Sequence, residues 1–92
     1  MISQQVTVCN KYGIHCRPSA IIAKEAQGYS GKIYIRKNQH QQEDATSILL
    51  LVGLGIRCGE TVTIEVTGPT EKATCERMVT LFETDFDFPR DE

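Results

Sequence analysis

His15 and Arg17 bring a nucleophile and a permanent cation within three residues of each other, and Pro18 follows them directly. Pro18 suits the opening turn of a helix, because the first backbone donors of a helix have no helical acceptor to lose. That places His15 at or next to the N-cap, after the glycine-containing turn from Lys11 to Ile14. The unpaired amides of the first turn, those of Cys16 and Arg17 among them, would then point outward. Helix polarity at this end disfavours imidazolium, so the ring stays a neutral nucleophile near pH 7. The same amides would stabilise an anion carried on that ring. Arg17 adds a guanidinium able to hold phosphate oxygens two at a time. The chemistry this suggests is acceptance of a phosphoryl group by His15.

Spacing alone favours a plainer reading, a solvated loop histidine beside a solvated arginine, because His-x-Arg-Pro is a short pattern. His40 lies in a Gln-rich stretch with no helix start close by, and is read as a solvated side chain.

The elements that would position His15 follow from the hydrophobic pattern. Val6 and Val8 alternate with polar neighbours over residues 2–8, and Ile33 and Ile35 do so over 32–37, giving two half-buried strands. Residues 61–67 alternate most cleanly, with Val62, Ile64 and Val66 inward. The polar stretch from Asn38 to Asp44 is a loop or a short edge strand. One helix runs from just after His15 until Gly28 stops it, and another runs from about Thr70 to Thr84. The last carries Cys75, Met78, Val79 and Phe82 at helical spacing and faces the core.

Between them lies Ser47 to Val52. Ser47 is a good N-cap and Gly53 and Gly55 are good stops, which favours a short helix. Five consecutive apolar residues go right around such a helix, so some of them face either water or a partner. The element order gives an α+β domain with helices on one face of an antiparallel sheet.

The 92-residue length fits one domain, residues 1–92, with an acidic tail over 83–92. A chain this size buries roughly 60–65% of its unfolded surface, so an enclosed cavity for a large cofactor would cost it core. Surface chemistry without a cofactor is the expectation. At 40% hydrophobic and 24% charged residues, the composition excludes disorder. The net charge is −2, and the tail's five carboxylates against Arg90 leave the body at only +2. Nucleic-acid binding normally needs a stronger basic field. Neither a membrane span nor a signal peptide is read, so a cytoplasmic protein is expected. Cys9, Cys16, Cys58 and Cys75 are scattered without a CxxC spacing, which argues for reduced thiols and against a metal site.

The run Gly13-Ile14-His15-Cys16-Arg17-Pro18-Ser19-Ala20 resembles the active-centre motif of the HPr family, the histidine phosphocarriers of the phosphoenolpyruvate-dependent phosphotransferase system. The run from Ala45 to Gly55 resembles that family's serine-centred segment, and the element order matches from end to end. Two motifs at this separation reverse the advantage of the plainer reading.

The resemblance implies an open-faced β-sandwich of four antiparallel strands and three helices. It implies that His15 takes a phosphoryl group on Nδ1 from phospho-Enzyme I and passes it to an EIIA-type domain, with Arg17 neutralising the phosphate. It implies a monomeric carrier without turnover of its own, docking through its first two helices. That would account for apolar surface at Ile48, Leu49 and Val52. Ser47 falls where some members are phosphorylated by a dedicated kinase, and a charge of about −2 there would sit inside the docking patch.

Some positions depart from the family pattern. Cys16 and Ser19 stand where Ala is common, and Leu50 replaces a residue that is often small. Cys16, at a helix start beside Arg17, favours a thiolate whose oxidation would block His15. Glu65 to Pro69, Leu81-Phe82 and the acidic Phe-containing tail look closer to the nitrogen-related carriers than to the sugar carriers. The competing reading is a non-catalytic regulatory module acting through the Ser47 helix.

Overall fold

The computed structural model describes residues 1–8, 16–38 and 41–83. Four strands and three helices follow one another along them: β1 (Ile2–Thr7), α1 (Cys16–Gln27), β2 (Lys32–Asn38), β3 (Gln41–Asp44), α2 (Ile48–Gly53), β4 (Thr61–Thr67) and α3 (Glu71–Glu83). The strands form one antiparallel sheet in the order β1-β4-β2-β3. This is the α+β open-faced sheet that the hydrophobic pattern and the family resemblance both imply.

Register puts the alternating apolar residues in rows across the sheet. Val62 faces Val6, Val66 faces Ile33, and Ile64 faces Ile35. All six are buried, and side chains one position along each strand point to the opposite, open face. Helix α3 lies over β1 and β4 and inserts Cys75, Met78, Val79 and Phe82 into the core, as its spacing predicts. Helix α1 buries Ser19, Ile22, Ala23 and Ala26, one stripe at the i, i+3, i+4, i+7 spacing of a core-facing helix. It packs against α2 and, less closely, α3.

Of the polar stretch from Asn38 to Asp44, Asn38 ends β2 and residues 41–44 form an edge strand, β3, whose ladder with β2 shifts register between Arg36 and Asn38. The middle apolar run is a helix, with one correction to its end. Gly53 belongs to α2, and the chain turns away at Gly55, which takes φ +65°. That left-handed backbone suits a residue without a Cβ, whereas Gly53 has no such demand placed on it. Thr70, ahead of α3, also has positive φ (48°), a conformation that its residue type does not announce.

No helix among the described residues is long and apolar enough to cross a membrane.

Candidate phosphoryl site and docking helix

Helix α1 begins at Cys16, the residue directly after His15. The amides of its first turn therefore have no intrahelical acceptor. Pro18 sits third in the helix and is buried, while Arg17 beside it is exposed. His15 itself, the turn before it, Cys9 and His40 lie outside the described residues, as do the side chain of Cys16 and residues 84–92. What is described of the site is thus the helix start, Arg17 and the packing that fixes α1.

Ser19 is part of that packing. Its residue is fully buried, and Oγ has no hydrogen-bond partner among the described residues. A buried hydroxyl without a partner costs about 1–3 kcal/mol of desolvation. Ser19→Ala should therefore raise stability by about 1 kcal/mol, read as a higher urea midpoint at unchanged slope. A lower midpoint would reveal a partner for the hydroxyl.

The second helix is set up by the turn before it. Asp44 Oδ1 accepts from the backbone N of Thr46 at 2.9 Å and from its hydroxyl at 2.8 Å. The backbone hydrogen bond from Thr46 is the main reason the Asp44 carboxyl titrates below its ordinary value, against a smaller opposing effect of burial. A lowered folded-state pKa means that this contribution is present at neutral pH and is lost as pH falls through the aspartate range. Gln27, at the end of α1, donates Nε2 to the Thr46 carbonyl at 2.9 Å, tying the two helices together.

Ser47 then caps α2. Its backbone is extended (φ −107°, ψ 116°) and Oγ accepts from Leu50 N at 3.2 Å. Ser47→Ala should cost about 1 kcal/mol and lower Tm by about 4–8 °C, measurable by thermal circular dichroism. An unchanged Tm would mean that the cap contributes nothing.

From this capped start α2 presents Ile48 (43% exposed), Leu49 (80%) and Leu50 (40%) to solvent, while Leu51 is fully buried. Val52, grouped with the exposed pair by the resemblance, is half-buried. Leu50, noted in the sequence only as a departure from the family pattern, is the third exposed residue. Consecutive exposed positions i, i+1 and i+2 wrap over half a turn, so no single stripe could have identified them.

The thiols divide by burial: Cys58 is exposed, and Cys75 lies in the core, where burial raises its pKa. Among the described residues no three His, Cys, Asp or Glu side chains gather as a metal site.

Comparison with known proteins agrees with this architecture over nearly the whole chain. The family model described as "PTS HPr component phosphorylation site" matches residues 2–84. Phosphocarrier protein NPr of Escherichia coli (strain K12) is 29% identical over 86 residues, covering 94% of this chain and 96% of the relative. The HPr-like protein Crh of Halalkalibacterium halodurans is 32% identical over 83 residues, covering 90% and 98%. Among solved structures, the phosphocarrier protein HPr of Bacillus anthracis str. Ames superposes with a TM-score of 0.83 at 27% identity, covering 89% of this chain and 96% of that one. With a family match that runs from β1 to the end of α3 and a shared fold, the chain belongs to the HPr family of phosphotransferase-system phosphocarriers.

Proposed function

We propose that the chain, as one HPr-like domain over residues 1–92, accepts a phosphoryl group on His15 from phospho-Enzyme I and donates it to an EIIA-type domain. The observation that carries this reading is the start of α1 at Cys16, which sets His15 in sequence directly ahead of a helix N-terminus, with Arg17 exposed in its first turn.

Transfer is an in-line displacement. The neutral imidazole of His15 attacks phosphorus through Nδ1, a new P–N bond forms, and the P–N bond to the donor's histidine breaks with its electron pair left on that ring. The phosphoryl group carries its charge on three outer oxygens, so positioning and charge stabilisation dominate. The amides of Cys16 and Arg17 and the Arg17 guanidinium supply that stabilisation. Nothing is turned over by the carrier alone, because the phosphohistidine must be discharged to an acceptor.

Docking through α1 and α2 gives the apolar surface at Ile48, Leu49 and Val52, with Leu50, its purpose. The similarity to proteins named NPr supports a nitrogen-related, regulatory output over sugar uptake. A second reading, a regulatory binding module, draws support from Ser47 at the edge of that patch. In that reading a serine kinase acts on Ser47 and His15 is idle.

Incubation with phosphoenolpyruvate and an Enzyme I of proven activity separates the two. The carrier takes up acid-labile, base-stable phosphate and passes it on when an EIIA domain is added. No label on the wild-type chain would leave the binding module in its place.

A further inference from the structure

The C-terminal end of α2 is held by a side chain from another element. Lys37, the penultimate residue of β2, donates Nζ to the carbonyls of Leu54 at 3.0 Å and Gly55 at 3.2 Å, immediately past the helix. Its side chain keeps only 23% exposure. The last carbonyls of a helix have no helical donor, and a cation there satisfies them and complements the negative end of the helix. A helix of six residues does not hold itself in water, so such anchors decide where it lies.

Lys37 Nζ also stands 3.8 Å from Glu60 Oε1. That oxygen accepts from Arg57 N at 2.6 Å, and Glu60 N donates back to Arg57 O at 3.0 Å, closing the turn before β4. The same turn grips Val8 from both sides. Val8 N donates to Glu60 O at 2.9 Å, and Gly59 N donates to Val8 O at 2.8 Å. Val8 is the last described residue before the segment that leads to His15. One lysine and one glutamate thus join the end of the helix bearing Ile48, Leu49 and Leu50 to the root of that segment.

We infer that Lys37, backed by Glu60, is a positioning residue for phosphotransfer: it fixes the apolar face of α2 relative to the start of the segment carrying the phosphoryl acceptor. This rests on the phosphocarrier reading above. Partner and phosphoryl site must be engaged together, so misplacing α2 weakens docking before it affects the chemical step.

The test is the steady-state phosphorylation of Lys37→Met, Lys37→Arg and Glu60→Gln by phosphoenolpyruvate and Enzyme I, with amide exchange measured on each. For Lys37→Met, KM for the carrier should rise about tenfold with kcat held within about twofold, while Lys37→Arg stays within about threefold of wild type. Exchange at Leu54 and Gly55 should quicken about tenfold in Lys37→Met, with Ile64 in β4 unchanged. An unchanged KM, a fall confined to kcat, or a Lys37→Arg variant no better than Lys37→Met would overturn the assignment.

Glu60→Gln distinguishes positioning from simple attraction of Lys37 to an acidic partner. Positioning requires its KM to rise, whereas attraction requires KM to fall, since the variant is more positive by one charge. Should Lys37→Met fail to fold, this sign alone decides. If wild type takes no label, the phosphocarrier reading fails, and unchanged exchange at Leu54 and Gly55 in Lys37→Met would separately refute the anchoring.

Discussion

His15→Ala is expected to take up no acid-labile phosphate from phosphoenolpyruvate and Enzyme I, a loss of at least about 10³-fold, while melting close to wild type. The nucleophile is removed, and the remaining histidine, His40, is followed in sequence by strand β3 and not by a helix start. Stability should be spared because the packing of α1 depends on Pro18, Ser19, Ile22, Ala23 and Ala26, all C-terminal to the substitution. Arg17→Ala should keep the acceptor but slow transfer by about 10²-fold, the scale seen when one stabiliser of developing charge is deleted. Labelling of His15→Ala at the wild-type rate would remove the acceptor from the mechanism. An unimpaired Arg17→Ala would remove the guanidinium alone.

Phe82→Ala should produce the opposite pattern, a collapse of stability from a residue of the core. Phe82 is the largest of the fully buried side chains among the described residues, on the inner face of α3 over β1 and β4. Truncating a buried phenylalanine costs about 3–5 kcal/mol through lost transfer energy and the cavity left behind. A domain of this length has about 5–14 kcal/mol to lose, and Tm should fall by more than about 12 °C. Calorimetry or a urea titration reads this directly. A shift below about 5 °C would mean that α3 is not fastened through this ring. Phosphate uptake, measured well below the lowered Tm, should persist, which separates loss of fold from loss of site.

Much of the fold was legible because burial wrote a period into the sequence. TVTIEVT over 61–67 alternates at each position, and its inward residues are the buried ones. Residues 41–44 carried no such period, since QQED buries little at the sheet edge and pairs with β2 through the backbone ladder and a side-chain bond from Asn38 Nδ2 to Gln41 Oε1. The run from Ile48 to Val52 is apolar at each position, so it signalled a helix through its Ser47 cap but not which side would face out. Only the packing of Leu51 into the core decides that Leu50 is exposed and Val52 half-covered. Lys37 was invisible to sequence reasoning for another reason. Its acceptors lie 17 and 18 residues away, and no local pattern marks a lysine that caps a neighbouring helix. The site was legible as a motif, His15 through Pro18 against a helix start, because that chemistry is local in sequence. The depth of Ser19 was not, since a serine is mostly solvated or bonded to its own backbone.

The most direct test of the phosphohistidine reading is to label the chain with phosphoenolpyruvate and Enzyme I, fragment it under conditions that preserve phosphoramidates, and locate the phosphate by mass spectrometry. The phosphate should be found on the peptide that contains His15 and on no other residue of it. Phosphate on His40, or an acid-stable phosphate on Ser47 with His15 unmodified, would contradict a carrier built on the first turn of α1.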